Sequence, residues 1–206
     1  LQAGKATDWY DDALYHYAEW MMNQGRIKIT PDGGWQAEQD FVKALELFRR
    51  LTSEFRKGET RYFDQANSYI QNITKPSLSV NTSNVFLPDS EMQFYLSWRN
   101  VKQVNLALYK IDLTRDVNFD NKRDNWLQTI SLTERERVKA WPKQTADKGD
   151  YKPGQENVRL DSKLPVGAYV IEAQASGEKA RDLLLVTDTT LIVKAANKQA
   201  LVYFCN

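Results

Sequence analysis

The 206-residue chain holds one cysteine and one histidine. A single thiol excludes an intrachain disulfide and a multi-cysteine zinc site, and a single imidazole excludes a multi-histidine metal site. Glycine is sparse, with nine in all and none between Gly58 and Gly149. A phosphate-cradling loop needs glycines so that backbone can approach phosphate, and Gly33-Gly34 is followed by no Lys-Ser or Lys-Thr pair. No apolar run approaches the roughly 20 residues that span a bilayer, and no basic-then-apolar segment marks a signal peptide. Charge of one sign is also lacking: 28 Lys+Arg against 27 Asp+Glu leaves a net +1. A nucleic-acid binder needs a concentrated basic surface, so no nucleic-acid partner is expected.

Catalytic sets are equally thin. His16 is the only imidazole base, one turn from Asp12 and Trp20, where it reads as an ordinary helix-surface group. No Gly-x-Ser-x-Gly elbow is present. Cys205, in the terminal apolar run, reads as a small buried hydrophobe. The acids Asp8, Asp11 and Asp12 suit a helix N-terminus. Asp112, Asp116, Asp120 and Asp124 are interleaved with Arg115, Lys122 and Arg123 and lack the sixth-position glycine of a calcium loop. The expectation is a chain with no enzymatic activity, no cofactor and no metal.

What is present is core-forming material: 42% hydrophobic and 12% aromatic residues. Residues 6 to 75 follow a helical period. Tyr10, Leu14, Tyr17 and Met21 share one face, Thr7 or Asp8 offers a cap, and Gly25 offers a stop. Thr30-Pro31-Asp32-Gly33-Gly34 is a loop. Phe41, Ala44, Leu45, Phe48, Leu51 and Phe55 form the longest stripe, and Tyr62, Phe63, Ala66, Tyr69, Ile70 and Ile73 a third, stopped at Lys75-Pro76. Tyr69 and Ile73 are expected to pack against Leu78 and Val80.

After Pro76 the period becomes two. Met92, Phe94, Leu96 and Trp98 alternate with Gln93, Tyr95, Ser97 and Arg99, and 103–111 alternates likewise, giving a hairpin. Further strands are expected at 156–161, 168–175, 181–187, 190–195 and 200–205, which together suggest an antiparallel sandwich. Residues 112–163 hold 10 acids and 11 bases among 52 and read as a solvated excursion, anchored by Trp126, Leu127, Ile130 and Leu132 and by Trp141-Pro142. The fold class is therefore α+β: a three-helix segment over 1–75 and a β-sandwich over 76–206. The chain stops directly after an apolar strand, which reads as a piece of something longer.

Phe41-Val42-Lys43-Ala44-Leu45-Glu46-Leu47-Phe48-Arg49-Arg50-Leu51, followed by Phe63-Asp64-Gln65-Ala66, resembles tetratricopeptide-type helices. Lys75-Pro76-Ser77-Leu78-Ser79-Val80, Val85-Phe86-Leu87-Pro88-Asp89-Ser90-Glu91, Leu96-Ser97-Trp98-Arg99-Asn100-Val101 and Leu164-Pro165-Val166-Gly167-Ala168-Tyr169 resemble the N-terminal macroglobulin-like domains of large bacterial alpha-2-macroglobulins. Leu184-Leu185-Val186-Thr187-Asp188 and Leu201-Val202-Tyr203-Phe204 are similar to the run leading towards that family's next domain. The resemblance implies a non-catalytic fragment of a periplasmic or cell-surface protein that binds or traps proteases, whose partners are other domains of the same chain and proteases. The family's thioester motif, Cys-x-Glu-Gln, is absent, because Cys205 is followed only by Asn206. The alternative is a cell-surface module binding a peptide or glycan, with Trp35, Trp126 and Trp141 as candidate partner contacts.

Overall fold

The computed structural model describes residues 7–83, 85–117, 125–161, 163–197 and 199–205. The protein is α+β and forms two compact units. Unit 1 comprises residues 1–77 and 146–154, and unit 2 comprises 78–145 and 155–206. The chain thus leaves unit 1 at residue 77 and returns to it for nine residues.

Unit 1 contains three helices and a hairpin that the sequence pattern does not announce. Helix α1 (Tyr10–Asn23) buries Tyr10, Leu14, Tyr15, Ala18 and Met21. Its buried face is turned towards Tyr15 and Ala18, which leaves Tyr17 at the margin and exposed. Its N-cap is Trp9 and not Thr7 or Asp8, with no side-chain cap. Gly25 ends the helix at φ +72°, its N–H donating to Trp20 O. A Cβ there would stand 1.7 Å from Glu38 O, so glycine is required for space as well as for φ.

Strands β1 (Arg26–Ile29) and β2 (Trp35–Glu38) follow as an antiparallel pair, closed by the expected loop, where Thr30 N–H donates to Gly34 O. Helix α2 (Phe41–Glu54) starts on an Asp40 cap that accepts from Lys43 N at 2.8 Å. Helix α3 (Phe63–Thr74) completes the core, where Phe48, Leu14, Leu47, Leu51 and Ile73 are fully buried. Tyr69 and Ile73 pack in this helical core, and Leu78 and Val80 in the sandwich core. The returning segment lays Tyr151 against the helical core.

Unit 2 is a sandwich. One sheet has the order β4-β10-β9-β6-β7 and the other β3-β5-β8, with β3 Ser77–Thr82, β4 Val85–Phe86, β5 Met92–Arg99, β6 Gln103–Ile111, β7 Arg137–Gln144, β8 Gly154–Leu160, β9 Gly167–Ala175 and β10 Glu178–Val186. The expected alternation fills the space between the sheets. Met92, Phe94, Leu96 and Trp98 on one side meet Leu106, Leu108, Tyr169, Ile171 and Leu184 on the other. Thr82 ties the edges together, its N–H donating to Asp182 Oδ2 and its hydroxyl to Leu183 O. The β4–β10 pairing is parallel, so the larger sheet is mixed.

The charged stretch is not a solvated excursion throughout. Residues 137–144 pair with β6, in register from Gln103↔Gln144 to Leu108↔Lys139. The expected anchor holds: a short turn, α4 (Trp126–Thr129), brings Trp126, Leu127, Ile130 and Leu132 onto the outer face of the larger sheet, against Ile111, Val170, Leu183 and Leu185. A last pair, β11 (Thr190–Ala196) and β12 (Gln199–Cys205), forms a two-stranded sheet of its own.

Candidate interaction surfaces

Among the described residues no group of three or more His, Cys, Asp or Glu could hold a metal ion, and no helix is long and apolar enough to cross a membrane. His16 sits in a surface network on unit 1. Its Nδ1 lies 3.1 Å from Glu19 Oε2 and its Nε2 3.2 Å from Tyr62 Oη. Tyr62 Oη donates to Asp12 Oδ1 at 2.7 Å, and Arg61 donates to the same carboxylate at 2.6 Å. The hydrogen bond from Tyr62, with Arg61 beside it, holds the Asp12 carboxyl below the usual carboxylate range. Glu19 Oε1 accepts from Tyr15 and Tyr69, and burial pushes the Tyr15 hydroxyl well up. Tyr15 stacks on Tyr62 at 4.1 Å and Phe48 on Tyr69 at 4.9 Å. The arrangement gives buried tyrosine rings a polar exit to water at the seam of α1 and α3.

The acidic set at 112–124 is only partly described; Asp120 and Asp124 lie outside the described residues. Asp112 accepts from Thr114 N and Oγ1, and Asp116 accepts from Asp112 N and pairs with Arg115 at 2.6 Å. The Thr114 hydroxyl holds Asp112, and the Arg115 guanidinium holds Asp116, below the usual range. Both acids staple a turn.

A cavity of about 240 Å³ opens between the β1–β2 hairpin, the start of α2 and the returning segment, lined by Arg26, Lys28, Glu38, Asp40 and Lys152 among others. Its charges are matched: Arg26 pairs with Asp40 at 2.7 Å, and Glu38 takes both Lys28 and Lys152, the latter at 2.8 Å. The two lysines pull the Glu38 carboxyl down to about 2.

The three tryptophans singled out in the sequence do not form one platform. Trp126 is half-buried on the outer face of the larger sheet, and Trp141 on β7 is half-buried against the sandwich core on the opposite face, with Lys139 Nζ 5.2 Å from its ring. Trp35 on β2 is 75% exposed.

Two surfaces, of which the sequence picked out only Trp35, are apolar and open. One is β11–β12. Leu191 faces Phe204 and Val193 faces Val202 across one side, and Ile192 faces Tyr203 across the other. All six are exposed, Phe204 to 71%. Lys194 is the one charged residue in either strand. Cys205, expected to be buried, is exposed because nothing among the described residues covers this ribbon. The other surface belongs to unit 1, where Trp9, Tyr17 and Trp20 on the flank of α1 and Ile27, Ile29 and Trp35 on β1–β2 are exposed.

A third feature is buried. Arg181 and Glu172 lie directly opposite one another on β10 and β9, with side chains 7% and 5% exposed and both contacts at 2.6 Å. Arg181 Nη1 also donates to Ile130 O at 2.8 Å and to Gln128 O and Leu127 O. It therefore clamps the α4 turn onto the sheet.

No family model matches the chain, and no curated protein matches it. Among solved structures it is similar to the CARDB domain of the PF1109 protein in complex with di-metal ions from Pyrococcus furiosus, at 11% identity and TM-score 0.31, over 55% of this chain and 88% of that one. It is similar to amylomaltase from Corynebacterium glutamicum at 12% identity and TM-score 0.31, over 85% of this chain and 23% of that one. BslA, a bacterial hydrophobin, matches at 17% identity and TM-score 0.28, over 54% of this chain and 98% of that one. Likenesses at this level carry no functional argument.

Proposed function

We propose that the chain is a non-catalytic interaction piece of a larger bacterial alpha-2-macroglobulin-like protein at the periplasm or cell surface, the whole of which binds or traps proteases. In this reading unit 1 is tetratricopeptide-like and unit 2 is a macroglobulin-like sandwich. The observation that carries the interaction role is the β11–β12 ribbon, open and apolar on both sides. An isolated two-stranded hairpin is marginal in water and gains stability when a further sheet covers it. A neighbouring β-domain of the same larger protein supplies that cover. The test uses the natural protein incubated with a panel of endopeptidases. Support is an endopeptidase retained through gel filtration, with residues 190–205 protected from hydrogen exchange in the natural protein but not in this chain alone. Failure to retain any endopeptidase, with the ribbon equally unprotected in both, would sink it. The exposure of Trp35 favours a second reading, a peptide- or glycan-binding module, which a Trp35→Ala variant screened on a glycan and peptide array would check.

A further inference from the structure

The segment 146–154 that returns to unit 1 sits on it without joining its framework. Among the described residues, no backbone hydrogen bond ties 148–153 to the helices or to the β1–β2 hairpin. Two side chains hold the segment in place. Tyr151 packs its half-buried ring against the helical core, and Lys152 Nζ donates to Glu38 Oε1 at 2.8 Å. The turn itself is tied internally, Gly149 N–H donating to Asp147 Oδ1 and Lys152 N–H to Asp150 Oδ1. Tyr151 stands at φ +63°, a left-handed conformation that a ring-bearing residue keeps only where its surroundings hold it. Here the docked ring holds it, and a lifted segment would relax.

The groove under this strap keeps its shape without help from it. Strands β1 and β2 are paired along their whole length. Arg26 pairs with Asp40 at 2.7 Å, Lys28 reaches Glu38, and Asp40 caps α2 through Lys43 N. The strap also leaves the groove part-empty: the cavity of about 240 Å³ stays open beside Asp150 and Lys152, with Phe41 and Val42 in its lining. A preformed groove with a loosely tied occupant is the arrangement of a site blocked by its own chain.

We infer that Asp150-Tyr151-Lys152 is an internal stand-in for a partner's peptide, and that unit 1 docks in its place an extended segment carrying an aromatic residue followed by Lys or Arg. The chemistry of that occupant is read from what the strap supplies. Its ring lies on apolar core. Its cation takes Oε1 of Glu38, the oxygen that Lys28, paired with Oε2, leaves open. A partner segment must displace the strap, so its apparent affinity is reduced by the fraction of time that the groove is free. The inference rests on neither reading of function given above, and its failure leaves both standing.

It is tested on the full chain with a fluorophore-labelled peptide of residues 146–154, whose binding is followed by fluorescence polarisation. The double variant Tyr151→Gly, Lys152→Ala undocks the strap and should bind the peptide about 10-fold more tightly than the wild type does. Adding Glu38→Gln should weaken that binding about three-fold, and a peptide with Tyr151→Ala should not bind. Lys152→Ala alone should fall between the wild type and the double variant. It carries the comparison if circular dichroism shows the double variant to be unfolded. Equal affinity for wild type and undocked chains, no binding to the undocked chains at millimolar peptide, or indifference to both the lost tyrosine and Glu38→Gln overturns the inference.

Discussion

Unit 1 and unit 2 both take polar atoms into their cores, and they satisfy them in opposite ways. In unit 1 the rings of Tyr15 and Tyr62 are buried while their hydroxyls reach Glu19 and Asp12 at the surface. Water can replace either carboxylate. In unit 2 a full ion pair, Glu172–Arg181, is buried on a sheet face, and its remaining donors are taken by carbonyls of the α4 turn. Water has little access there. The difference teaches that removal of a single partner should be cheap in the first unit and expensive in the second.

The sharpest way to break this contrast is Arg181→Met. It leaves the buried Glu172 carboxylate with only the Gln174 amide at 2.5 Å and the Lys179 ammonium at 3.9 Å, frees the α4 turn, and should cost about 3 kcal/mol in urea unfolding. Adding Glu172→Leu should recover part of the loss; no recovery would mean that the clamp on α4 outweighs the under-paired carboxylate. Similar in size is Phe48→Ala, which empties the ring stack of unit 1 at a cost of about 3 kcal/mol, read as lost hydrogen-exchange protection in α1, α2 and α3. By contrast, Tyr15→Phe should cost only about 1 kcal/mol, since the ring stays and only the bond to Glu19 is lost. A cost near that of Arg181→Met would erase the distinction between the units.

The smallest effect concerns pH. Glu38 is depressed in the folded state, to about 2, so its contribution is present above the ordinary carboxylate value and is lost as pH falls from about 4.5 towards 2. The carboxylate is exposed, so the effect on stability is slight, and the readout is an NMR titration. In Lys152→Ala the midpoint should move up towards the usual value, and an unmoved midpoint would remove the returning segment's electrostatic role.

Periodicity made the scaffold legible. The α2 stripe from Phe41 to Leu51 and the alternation Met92–Phe94–Leu96–Trp98 are each dictated by one buried face, and a one-sided pattern shows through in sequence. Arg26–Ile29 alternates too, but four residues beside a Pro-Asp-Gly-Gly loop are too few to stand out. Residues 137–144 were hidden by their charges: Arg137, Lys139 and Lys143 belong to an edge strand, where cations guard an open edge. The Glu172–Arg181 clamp was beyond reach, because only the register of β9 on β10 makes neighbours of residues nine apart. The β11–β12 strands were read as part of the sandwich for the same reason. Pattern reports that a face is apolar but not whether anything lies on it.

The return of residues 146–154 to unit 1 also sets a clock on synthesis. When residue 77 is made, the helical unit still lacks Tyr151 and Lys152, and 68 residues, 78 to 145, must be added before that segment begins. At about 5–20 residues per second, the interval is on the order of ten seconds. Throughout it the nascent helices stand with Glu38 short of one lysine and with one flank of the core uncovered. A ribosome-stalled chain ending before residue 146 should therefore be cleaved by protease in unit 1 more readily than one released beyond residue 154.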